Sequence, residues 1–147
     1  MDIDAIITLV SGWDGALAVT AADGDGSPAL AWGDSFFYYA PDGVMPQRTQ
    51  PFATIVTKNY PGDDSSRLDR PGVFRLNIDA GRGLAQEHTE DGADPAAPDA
   101  FFAHPVYGAA GWISVISPAA VTAEPAKELL HQAYQVARDR YERRNRG

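Results

Sequence analysis

The sequence predicts an α+β fold: a central, mostly antiparallel sheet with an N-terminal and a C-terminal helix packed on it. Three observations carry this reading. Apolar runs of strand length cluster in the middle of the chain, and helical periodicity is confined to its two ends. The connections between most of the strands are too short to hold crossover helices. At 147 residues the chain has the size of one domain, residues 1–147, with no internal repeat.

Asp2 or Asp4 caps a short first helix whose stripe is Ile3, Ile6, Ile7 and Val10, and Gly12 ends it. Ala16 to Thr20 reads as a strand. The turn-rich run Asp23-Gly24-Asp25-Gly26-Ser27-Pro28 follows, and Ala29 to Trp32 reads as a returning second strand. Gly33-Asp34 then turns the chain into a strand over Ser35 to Tyr39. The Pro- and Gly-rich stretch 41–51 is a loop, and Phe52 to Thr57 has the β-branched content of a strand. Residues 59–72 are a long polar connection with a helical turn at 65–68.

Val73 to Ile78 alternates strictly, with Phe74, Leu76 and Ile78 on one face and Val73, Arg75 and Asn77 on the other. Gly83 to His88 reads as a short helix, 89–98 as a mobile loop, and Gly111 to Ile116 as a further strand. The last helix takes Thr122 as its cap and tolerates Pro125 in its first turn. It buries Ala126, Leu130, Ala133, Tyr134, Ala137 and Tyr141, and its basic end, 138–147, is expected to fray.

Composition narrows the function classes. Apolar residues make up 44% of the chain and charged residues 22%, the balance of a folded domain. The net charge of −8 disfavours binding to a phosphate backbone, which needs clustered Lys and Arg. Charge is uneven: residues 1–123 hold six basic and sixteen acidic side chains, while 124–147 hold six basic and four acidic. The basic end suits the negative pole of a helix dipole. With no cysteine, thiolate chemistry, disulfides and Cys-ligated metals are excluded. No apolar run is long enough to span a membrane and the first residues are acidic, so a cytoplasmic protein is expected.

The run Pro51 to Thr57, the block Arg70-Pro71-Gly72-Val73-Phe74-Arg75-Leu76-Asn77-Ile78, and His104-Pro105-Val106-Tyr107 leading to Gly111-Trp112 resemble an uncharacterised actinobacterial family of about 150 residues. More distantly, a strand bearing Trp112 followed by a helix with a central Tyr134 resembles the MmcQ/YjbR-like (double-wing) proteins. That resemblance implies helices flanking an antiparallel sheet, and some members of the wider group are described as DNA-binding.

Several motifs imitate known sites and lack their context. Asp23, Asp25 and Asp34 have the spacing of a calcium loop, but Pro28 stands where the loop needs glycine. Gly33-Asp34-Ser35 resembles an esterase nucleophile block, yet the chain continues as a strand and not a helix. The three histidines match no metal-ligand spacing, so no metal or cofactor is expected.

Arg75 stands out because bulky neighbours at Phe36 to Tyr39 imply cover on both faces of the sheet. A covered guanidinium needs an internal carboxylate or a bound ligand. The expected function is therefore small-molecule binding in a pocket anchored by Arg75 and Asn77. Tyr38, Thr54, Tyr107 and Trp112 wall it. One alternative is a cofactor-independent enzyme using His104 as acid/base in that pocket. The other is a DNA-binding or protein-interaction domain, which the net charge disfavours.

Overall fold

The computed structural model describes residues 1–146. Six strands form one sheet: β1 Ala16–Thr20, β2 Ser35–Tyr39, β3 Ala53–Val56, β4 Arg75–Asp79, β5 Phe101–Ala103 and β6 Trp112–Ile116. Their order is β1-β2-β3-β4-β6-β5, and every ladder is antiparallel. Helices α1 Ile3–Ser11 and α3 Ala123–Arg146 pack on the sheet, and the short α2 Arg82–His88 follows β4. The α+β architecture read from the sequence is the observed one. No helix among the described residues is long and apolar enough to cross a membrane. Gly147, the last residue of the stretch expected to fray, lies outside the described residues, while α3 runs to Arg146.

Alternation sorts the strands into two faces. Phe37, Ala53, Ile55, Leu76, Ile78, Ile113 and Val115 meet Ile6 and Val10 of α1 and Ala126, Leu129, Leu130, Ala133 and Tyr134 of α3 in one core. Asp2 starts α1 by accepting the Ala5 amide at 2.8 Å. Leu129, outside the stripe read from the sequence, is only 2% exposed. α3 starts directly after Thr122, as expected, but the Thr122 hydroxyl donates to Asp99 instead of capping the helix. Asp99 accepts the Ala119, Val121 and Thr122 amides at 2.9 Å each, and the Thr122 hydroxyl donates to it at 2.6 Å. Burial opposes the charge of that carboxylate, but these donors hold its pKa well below the usual range.

Two elements depart from the sequence reading. Ala29 to Trp32 is not a strand. Pro28 has no N–H for a ladder, and Ala29–Ala31 forms a 3-10 turn closed by the Ala31 amide on the Pro28 carbonyl at 2.9 Å. β1 pairs instead with β2, and residues 21–34 connect the two. The second departure is β5, whose three residues are too few to show a period-two pattern. Before β6, Gly111 has φ +97°, and a Cβ there would come within 2.8 Å of the Arg82 nitrogen and the Gly81 carbonyl carbon. Only glycine fits.

Tyr134 is 4% exposed, lies 5.2 Å from the Trp13 ring centre and donates its hydroxyl to the Asp14 carbonyl at 2.5 Å. Tyr134→Ala should lower unfolding free energy by ~3–5 kcal/mol. Tyr134→Phe should lower it by only ~1 kcal/mol, the cost of the hydrogen bond. Urea denaturation of the two variants checks this, and equal losses would contradict the packing described.

Candidate functional site

The sheet face turned away from α1 and α3 carries a polar row. Thr54 of β3, Asn77 of β4 and Ser114 of β6 stand opposite one another across three adjacent strands, with Arg75 one position along. Asn77 donates to the Thr54 hydroxyl at 3.1 Å, while its oxygen accepts the Ser114 hydroxyl at 2.7 Å and Arg75 Nε at 2.9 Å. Segment 57–72 folds over this face. It brings Asp63 into a bidentate pair with Arg75, at 2.9 and 2.5 Å, and the Ser66 hydroxyl to 3.0 Å. Arg75 and Asn77 are each 1% exposed. The pair with Arg75 is the first cause holding the Asp63 carboxyl below its ordinary pKa, against the opposing effect of burial.

His104 lies beside the network, with Nε2 3.5 Å from an Arg75 nitrogen. Its Nδ1 accepts the Val106 and Tyr107 amides at 3.0 and 3.1 Å, so the proton of the neutral ring sits on Nε2. Burial first, and the Arg75 charge second, push its pKa down to about 4. Protonation at Nδ1 removes the acceptor that caps the turn after His104. The imidazole therefore braces a loop, and its basic nitrogen is occupied.

Arg75, Asn77, Thr54 and His104 are thus brought together, but in a filled network. Trp112, at 9% exposed, sits beside it with its ring 6.3 Å from His104. Tyr107 covers the imidazole at 5.0 Å between ring centres and is 57% exposed. Tyr38 pairs with Leu17, two strands from Arg75, and is not joined to the others. Asp34 holds a second buried cluster. Its carboxylate accepts the Thr57 amide at 2.8 Å, the Thr57 hydroxyl at 2.7 Å, Lys58 Nζ at 3.1 Å and the Tyr60 hydroxyl. Burial first, and then the hydrogen bond to Asp34 and its charge, raise the Tyr60 pKa. Ser35 is 1% exposed and bonded to Thr20, so it is not a presented nucleophile.

Open space lies on the helix side. A cleft of about 330 Å³ separates the second half of α3 from residues 48–52. Arg48, Arg140 and Arg144 line it, and none of the three forms an ion pair with another described residue. Tyr39, Phe52 and Ala137 supply apolar wall, and Thr49 and Gln50 supply polar groups. The one carboxylate there, Asp79, has its pKa raised by burial, with Arg140 opposing. Among the described residues, no group of three or more His, Asp or Glu side chains is placed to hold a metal ion.

The model of the Family of unknown function (DUF6194) matches residues 1–146. The chain belongs to DUF6194. No curated protein and no solved structure matches it. The residues of this DUF6194 chain that sequence reasoning missed are Asp63 and Ser66, which occupy Arg75, and the three arginines of the cleft. Asp63 lies in a connection without periodicity, and the arginines come from segments far apart in the chain. An excess of Arg over Asp and Glu in 138–146 is the one available signal, and it reads equally as a helix terminus.

Two stability measurements follow from the network. Arg75→Met strands the Asp63 carboxylate, whose side chain is 11% exposed, and should cost ~3–5 kcal/mol in urea unfolding at pH 7. A variant as stable as the parent would mean that Asp63 is not left buried and unpaired, against the geometry described. The second concerns His104. Its folded pKa lies below its unfolded value of 6.5, so the unfolded chain binds the extra proton between these values. Stability contributed by neutral His104 is complete above pH 6.5 and declines as pH falls toward 4. The loss is on the order of 2–3 kcal/mol over that window. Unfolding of His104→Asn, measured from pH 7 to 4, should show a correspondingly flatter decline than the parent.

Proposed function

We propose that this DUF6194 protein binds a small anionic molecule in the cleft formed by Arg48, Arg140 and Arg144. The observation that carries the reading is that three arginines without ion-pair partners among the described residues converge on one concave site in a chain of net charge −8. A concave site with an apolar wall and a few convergent polar groups is where small ligands bind. Guanidinium forks suit carboxylate and phosphate oxygens. The binding function expected from the sequence is retained, while its anchor moves from Arg75, matched by Asp63, to these arginines.

The occupied Nδ1 of His104 supports a bracing role over proton transfer, and the net charge supports a small ligand over duplex DNA. A distant kinship with the MmcQ/YjbR-like proteins belongs to the same proposal, supported by Trp112 in β6 and Tyr134 in α3. An actinobacterial source and a cytoplasmic location belong to it also, supported by composition.

Thermal melts with a panel of small carboxylates and phosphate monoesters test the function. A ligand present at about a hundred times its Kd adds ~2.7 kcal/mol. In a chain of this length that corresponds to a shift of about 5–10 °C. The expected result is such a shift in the parent and its loss in Arg48→Gln/Arg140→Gln/Arg144→Gln. A shift that persists in the triple variant, or a parent unmoved by every compound, overturns the reading.

A further inference from the structure

The arginine cleft continues into a second groove of about 420 Å³, and the two share Tyr39, Thr49 and Arg144. The second groove takes apolar wall from Val44, Met45 and Pro46 of the loop and Tyr141 of α3, with Asp42 and Asn145 as polar groups at its edge. Val44 is 64% exposed and Met45 42%, so the loop holds apolar side chains in water beside a cationic site. Tyr39 forms part of both walls and packs edge-on against Tyr141 at 5.2 Å, so an aromatic contact joins the two grooves. Together the grooves lie within the ~300–1,000 Å³ usual for a small organic ligand.

We propose that the ligand of the cleft is a free amphipathic anion. Arg48, Arg140 and Arg144 hold its carboxylate or phosphate head, and its unbranched aliphatic body lies past Tyr39 against Val44 and Met45. This rests on reading the cleft as an anion site and adds the ligand class. Charge complementarity selects the head, and the exposed apolar side chains of Val44 and Met45 beside Tyr141 select the body. A free molecule fits better than a bilayer. The site is a concave groove, and the acidity of the rest of the chain repels an anionic lipid surface.

Calorimetric titration with acetate, butanoate, hexanoate and octanoate at constant ionic strength tests this, with inorganic phosphate and 1-octanol as further probes. Burying a methylene contributes ~0.8 kcal/mol. Affinity should therefore rise about fourfold per added methylene until the groove is filled. Octanol should bind at least about tenfold more weakly than octanoate, since it lacks the charge. Met45→Glu should flatten the chain-length dependence. Arg140→Gln/Arg144→Gln should weaken every anion.

Measurable binding of phosphate or acetate with no gain along the series overturns the amphipathic ligand and leaves the anion site standing. No binding of any anion overturns both. Octanol binding as tightly as octanoate overturns the role of the arginines. Sedimentation with phosphatidylserine vesicles, lost in Met45→Glu, while octanoate fails to bind, overturns the free ligand in favour of a membrane surface.

Discussion

A guanidinium at the centre of a sheet cannot be left without a partner, and much of this fold answers that constraint. Arg75 begins β4, the inner strand between β3 and β6, where both faces of the sheet are covered. Asp63 neutralises it, Ser66 and Asn77 take further donors, and His104 stays uncharged beside it. To bring Asp63 there, segment 57–72 must lie flat across the polar face. It is pinned at one end by Asp34 on Thr57, Lys58 and Tyr60, and at the other by Arg70 on the Ala96 carbonyl at 2.9 Å. A buried ion pair adds little net stability compared with apolar packing, but removing one half is costly. What it contributes here is a single allowed position for a segment that has almost no apolar content of its own.

The two faces of the sheet therefore follow different physics. The helix face is held by non-directional burial, in which Leu, Ile and Val side chains tolerate modest shifts. The opposite face also buries Tyr38, Val56, Phe102, Trp112 and Ile116. Its centre, however, is held by directional bonds around Arg75 and Asn77 whose donors and acceptors are matched, leaving that side closed. The cationic cleft occurs where neither regime applies. α3 there extends past its buried stretch, and the loop before β3 meets it without forming a packed core. Charge can remain unmatched at that place because water still reaches it.

The sequence carries the helix face clearly and the polar face only by half. Ile6, Val10, Leu130 and Tyr134 repeat at helical spacing, and Phe74, Leu76 and Ile78 at strand spacing, so periodicity alone assigns them to a core. The same alternation shows Arg75 and Asn77 on a common face, and bulky residues on β2 argue that this face is covered. The identity of the cover does not follow. Sixteen acidic side chains precede residue 124, and nothing in their spacing marks Asp63 as the one that reaches Arg75. β5 escapes for a different reason: three residues cannot display a period. The cleft joins Arg48 to Arg140 through topology, which a local pattern does not encode.

The contact between Trp13 and Tyr134, with the Tyr134 hydroxyl on the Asp14 carbonyl, joins residues 120 positions apart. In chain order α1 precedes all six strands, and α3, which completes the core around its stripe, follows all six. A short isolated helix is marginal in water, so α1 is stabilised only once the sheet, with β1 first, and α3 pack on it. The sheet can build strand by strand through its neighbouring ladders. Closure of its helix-bearing side is by contrast a late, non-local step with the slow rate that high contact order imposes. For the nascent chain, that interval is the period of greatest exposure to aggregation.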